Sequence, residues 1–164
     1  MKLSKTKEIV FMGMMTAVAF AGQVAMGFLP NIEIVTLLFI LYTLVLGKKV
    51  ILVIYAFVLL QGIYYGMGLW WLNYLYVWTV LAIVVLIFRK QKSVWFWSIL
   101  SGFYGLAYGA LCSIIYLFMG GVNTAFAYWV SGLGFDITHC IGNVVVCLVL
   151  YKPLRYVLEI CMSM

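Results

Sequence analysis

The feature that most constrains this chain is the length of its uncharged stretches. Residues 50–88 contain no Asp, Glu, Lys or Arg, and neither do residues 93–135. A soluble domain has no use for such segments, whereas a bilayer holds them as helices of about 17 to 25 residues each. Composition agrees: of 164 residues, 68% are hydrophobic and 9% charged, and the mean hydropathy is +1.20. The chain reads as an all-α integral membrane protein, a single membrane domain over 1–164 with no soluble module.

Charge, Gly and Pro divide it into six spans. The first covers about 9–28 and is stopped by Pro30, whose ring cannot continue a helix and biases the residue before it toward extended structure. The second, about 32–46, ends at Gly47, Lys48 and Lys49; it is short for a bilayer and calls for shielding by neighbours or local thinning. The third, about 50–65, breaks in GMGLWW, and the fourth, about 71–88, precedes the basic loop RKQKS. The fifth covers about 94–118, a Gly-Gly loop follows at 120–121, and the sixth, about 126–151, is expected to close at Pro153.

The basic residues test that count independently. Lys2, Lys5 and Lys7 precede span one, Lys48 and Lys49 follow span two, Arg89, Lys90 and Lys92 follow span four, and Lys152 and Arg155 follow span six. All fall on one side, while the loops after spans one, three and five carry no Lys or Arg. The positive-inside rule therefore predicts both N and C termini in the cytoplasm. The net charge of +6 belongs to a rim facing the lipid headgroups, and its scatter over four short segments argues against nucleic-acid binding. A basic start, an apolar run and AVAFA also fit a cleaved signal peptide, but the apolar run continues through Phe28, so a retained span is expected.

Cys112, Cys140 and Cys147 lie within spans and Cys161 just inside the cytoplasmic face. No CxxC pair exists, and the single His cannot complete a zinc set, so these thiols are read as packing and no metal or cofactor is expected. Small residues recur along two helices: Gly13, Ala17, Ala21 and Ala25 in span one, and Ser101, Gly105, Gly109 and Ser113 in span five. Such faces let helices approach closely in lipid. At least one stripe should pack inside the bundle, and the other is free to meet a partner subunit.

The anomaly is FDITHCIGN at 135–143, inside span six. Offsets of three and seven residues put Asp136, His139 and Asn143 on one helix face. Asp136 lies roughly 15 Å from the outer end of the span at 1.5 Å of rise per residue, so the stripe occupies the outer half and middle of the membrane. Ionisable groups there should face the bundle or a cavity. One reading is an Asp–His pair that locks span six against its neighbours; the other is a ligand site.

Aromatic and amide residues favour the second. Tyr64, Tyr65, Trp70, Trp71, Asn73, Tyr74, Tyr76 and Trp78 surround the loop between spans three and four, with Tyr128 and Trp129 at the outer end of span six. Some belong to an interfacial belt. Together with a carboxylate, an imidazole and amides, such rings suit a planar polar molecule. Asn31 and Glu33, just after Pro30, are on the same side and in position to close the mouth, although Glu33 also suits a helix N-terminus.

The stretch FLPNIEIVTLLFILYTLVLGKK, after a first helix with Ala17 and Ala21 in AxxxA spacing, resembles the substrate-binding S components of energy-coupling factor (ECF) transporters of Gram-positive bacteria. Length, six helices, cytoplasmic termini and a polar sixth helix extend the resemblance over most of the chain. It implies a multi-pass cell-membrane protein that binds a vitamin or related micronutrient from outside and delivers it by toppling on a coupling subunit driven by two ATPases. The stripe of Ala17 and Ala21, or of Ala21 and Ala25, would meet that subunit, and the loop 30–33, the loop 70–73 and the polar face of span six would form the pocket. This chain has no GxxxxGK[ST] phosphate loop, so the ATP would be hydrolysed elsewhere. The His-containing N-terminal arm of the metal-specific relatives is also absent, which argues against cobalt or nickel as cargo. The aromatic lining with one buried carboxylate points to a heteroaromatic cargo with hydrogen-bond donors or positive charge, such as a pyrimidine, pyridine or thiamin-like vitamin.

Three other classes are weaker. A hydrolase would recruit Ser113 or Ser131 to Asp136 and His139, but nothing local supports a triad and no enzymatic activity is expected. A small multispan scaffold of cell-wall assembly explains size and topology without the polar stripe. An ion path would need more than Gln23 and Gln61 in spans one to four.

Overall fold

The computed structural model describes residues 5–163. Its elements are α1 (Lys5–Ala25), α2 (Val35–Leu46), a 3₁₀ turn (Gly47–Lys49), α3 (Val50–Tyr65), α4 (Leu69–Ile87) and α5 (Val94–Ser163), with no strand among the described residues. Four helical stretches are long and apolar enough to cross a membrane: Lys5–Ala25, Val35–Tyr65, Leu69–Ile87 and Val94–Cys161.

Two of those stretches are folded back on themselves at a glycine. Gly47 has φ 57°, in the left-handed region that a side chain disfavours, and behind it the Phe39 and Phe57 rings meet edge to face at 5.2 Å. In one straight helix these residues would stand about 27 Å apart. Gly121, at φ 76° and ψ −174°, breaks α5 in the same way. Residues 94–120 (α5a) and 122–163 (α5b) then run antiparallel, joined by Tyr116 stacked on Tyr128 at 4.1 Å and by Asn143 Nδ2 donating to the Ser101 carbonyl at 3.2 Å. Gly120 itself stays helical, so the reversal is one residue rather than a loop.

Further reversals at 26–34, at 66–68 and at 88–93 make neighbouring helices alternate in direction. Glu8 pairs with Lys49 near one end of α1 and α3, and Phe20 meets Tyr64 at 5.5 Å toward the other, so these two helices run parallel. This alternation gathers the described Lys and Arg residues at one end of the bundle; Lys2 lies outside the described residues.

The central element is α2. Its residues 35–43 are all buried, so its shortness, about 18 Å at 1.5 Å per residue, is met by the first of the two expected means, shielding by neighbouring helices. It starts at Val35 rather than 32 because Glu33 caps it: the Thr36 amide donates to Glu33 Oε2 at 2.9 Å, replacing a carbonyl the first turn lacks. Packed on it are Phe57 and Trp78, each edge-on to Phe39 at 5.2 Å, and Tyr74 stacks in turn on Phe57 at 6.2 Å.

Pro153 does not close the last helix, which runs on to Ser163. An interior proline loses one ladder bond and its ring crowds the carbonyl four residues earlier, which bends a helix without having to end it, and Arg155 ties the turns on either side, donating to the Tyr151 hydroxyl at 3.0 Å and to Glu159 at 2.9 Å. The first helix ends earlier than expected, at Ala25, where short turns from Met26 to Leu29 take over.

Candidate functional site

The polar stripe of α5b is seated by a glycine face on α5a. A Cβ on Gly105 would stand 2.9 to 3.0 Å from atoms of His139, Cys140 and Asn143, and one on Gly109 would overlap the Asp136 carboxylate. Ser101, Gly105 and Gly109 therefore serve packing within the hairpin. Asp136, His139 and Asn143 are consequently 4%, 6% and 2% exposed.

Each stripe residue takes a different partner. The Gly109 amide donates to Asp136 Oδ1 at 3.0 Å, while Asp136 Oδ2 is buried without a hydrogen-bond partner among the described residues. His139 Nε2 lies 3.3 Å from Glu33 Oε1, linking α5b to the loop before α2, and its ring meets Tyr108 edge-on at 5.1 Å. Asn143, one turn deeper, donates to the Ser101 carbonyl, and its own Oδ1 has no hydrogen-bond partner among the described residues. The local Asp–His lock is thus replaced by contacts to two other segments, α5a and the loop before α2.

Two cavities flank this cluster. One, of about 220 Å³, lies under the 26–34 loop and is lined by Gln23, Pro30, Glu33, Tyr74, Trp78 and His139 among others. The other, of about 350 Å³, lies between the α5 halves and is lined by Gly109, Cys112, Tyr128, Ser131, Phe135 and Asp136 among others. Asn31, Tyr108 and His139 belong to both linings and form the wall between them. Asn31 turns the chain there with φ 59°, a left-handed conformation that asparagine tolerates better than most residues.

Of the expected site residues, Asn31, Glu33, Tyr74, Tyr128, Asp136 and His139 are brought together around the cavities. Asn143 lies below them. Trp70 packs edge-on against Tyr65 and Tyr74, and Trp71 donates to the Val58 carbonyl at 2.8 Å, joining α3 to α4. Asn73 is buried, its Oδ1 2.8 Å from the Tyr76 hydroxyl, which also reaches the Leu111 carbonyl at 2.7 Å and can donate to only one at a time. Trp129 is partly exposed and touches Phe126. Tyr108, common to both cavities, was not anticipated; its signal was the Tyr104/Tyr108 pair one turn apart in a helix read for its small residues.

The stripe on α1 behaves differently from that on α5a. Gly13, Ala17, Ala21 and Ala25 are all exposed, and a Cβ on Gly13 would meet nothing within 4 Å. No family model matches the chain, and no curated protein or solved structure is similar to it.

Proposed function

We propose that this chain is the substrate-capture subunit of an ECF-type importer: a six-span protein of the cell membrane, both termini cytoplasmic, that takes a vitamin or related micronutrient from outside. A transmembrane coupling subunit and two ATPases would complete the transporter. The observation that carries this reading is the pair of cavities around His139, walled by aromatic rings and carboxylates, at the end of the bundle away from the described Lys and Arg residues. With the basic end inside, the cavities lie toward the outer face, where a captured molecule arrives. The exposed small-residue face of α1 supports a partner, because in lipid an uncovered face of this kind is where a second helix packs closely.

Native mass spectrometry of the detergent-purified protein, paired with uptake in cells expressing it with and without a coupling subunit and its ATPases, tests the proposal. A copurifying vitamin-sized molecule, taken up only in the complete system, is the expected result. An empty protein that promotes no uptake of a vitamin panel would instead support a membrane scaffold, with the Glu33–His139 and Gly109–Asp136 contacts as structural ties.

A further inference from the structure

Resting on that capture role, we propose that the cargo is a small organic cation with a flat ring, held beside the Asp136 carboxylate in the cavity between the α5 halves. The charge inventory of the site points there. Glu33 and Asp136 border the two cavities, and among the described residues no Lys or Arg does. His139 is the one group there able to carry positive charge, and its Nε2 faces Glu33 at 3.3 Å. Asp136 has the Gly109 amide on Oδ1, and its Oδ2, buried against Gly109, has no hydrogen-bond partner among the described residues, so a cargo pairs with it once the carboxylate turns toward the cavity it lines.

A buried carboxylate oxygen without a donor is costly, and an ionised carboxylate without a counter-charge more so. An anionic cargo would bring a further negative charge into this low-dielectric space beside Asp136 and Glu33. A neutral donor would satisfy Oδ2 but leave the charge. A cation bearing N–H groups does both, through a charge-assisted hydrogen bond. The same cavity offers it aromatic faces in Tyr108, Tyr128 and Phe135, with Tyr128 fixed by its stack on Tyr116. A volume of about 350 Å³ is at the small end of ligand pockets and suits a single-ring compound.

Benzamidine, benzamide and benzoate have nearly the same shape and are cationic, neutral and anionic at neutral pH, so their binding to the detergent-purified full chain isolates charge. Calorimetric titration should find benzamidine about tenfold or more tighter than benzamide, as expected for a hydrogen bond to a charged group, and benzoate weakest. Asp136→Asn should abolish the preference for benzamidine. Benzamidine binding no better than benzamide, or a preference that survives Asp136→Asn in a monodisperse protein, overturns the proposal. The comparison within the wild-type protein stands even where the variant fails to fold. Charge-selective binding without any energy-dependent uptake would leave this inference in place and remove the transport role; uptake of an anionic cargo would do the reverse.

Discussion

Gly109 and Asp136 are fitted to each other across the α5 hairpin. The Gly109 amide donates to Asp136 Oδ1 at 3.0 Å, and any side chain at 109 would collide with the carboxylate. A carboxylate can reach an amide in the middle of a neighbouring helix only where that helix presents no Cβ, so the glycine explains how an acidic residue is accommodated at this depth.

Gly109→Ala should therefore destabilise the protein by about 1 to 3 kcal/mol, the usual range for overpacking. Gly13→Ala, with nothing within 4 Å of the new methyl, should be neutral or stabilise by up to about 1 kcal/mol, since alanine is the better helix former. Thermal unfolding of both variants in one detergent decides. Equal midpoints would mean that the α5 halves are not held at the separation described.

Glu33 and His139 should be energetically coupled. Their side chains are 13% and 8% exposed, and the contact ties the 26–34 loop to α5b. A double-mutant cycle of Glu33→Gln and His139→Gln, read by unfolding, should give a coupling energy of about 0.5 to 3 kcal/mol. Additivity to within about 0.5 kcal/mol would show that the loop is held by other contacts. Gln at 33 keeps an acceptor for the Thr36 amide, so loss of the helix cap does not confound the cycle.

The helices were legible in the sequence because glycine, proline and charge punctuate them. The bounds of α3 and the start of α5 were read correctly, and those of α4 to within about two residues. Glu33 was legible as a residue suited to a helix N-terminus, but the start of α2 was missed because hydropathy runs on through Ile32 and Ile34 while the helix begins only after the Glu33 cap on the Thr36 amide, and the run through Pro153 because its neighbours Tyr151 and Arg155 brace the helix. The polar face of α5b was legible from spacing alone, since Asp136, His139 and Asn143 can only be tolerated buried. Their partners were not, because Glu33 in the 26–34 loop and Gly109 and Ser101 on α5a lie in two distant segments that only the folded chain brings near. Trp71 and Asn73 illustrate the converse: aromatic and amide character marks a pocket lining, an interhelical tie (Trp71 to Val58) and a contact within one helix (Asn73 to Tyr76) alike.

Ala17 lies on the exposed face of α1, so Ala17→Trp adds bulk pointing away from the bundle. Stability should change by no more than about 0.5 kcal/mol, as for surface positions, and any copurifying small molecule should remain bound. Uptake should fall to the level of cells lacking the coupling subunit, because an indole at 17 blocks close helix approach. Uptake at the wild-type rate would move the partner contact to another face.

Orientation can be read with the protein's own thiols. Cys112 and Cys147 are buried and Cys140 half-buried, whereas Cys161 is exposed beyond the basic rim. An impermeant maleimide reacts with an accessible thiolate and is excluded from a packed interior. If the basic end is cytoplasmic, Cys161 should label in inside-out vesicles and stay unlabelled in intact cells. Asn123, exposed next to the Gly121 reversal, supplies the opposite marker: Asn123→Cys in a Cys161→Ser background should label from outside only. The reverse pattern would turn the cavities toward the cytoplasm, where they could not capture an external molecule, and would exclude the import role whatever the site binds.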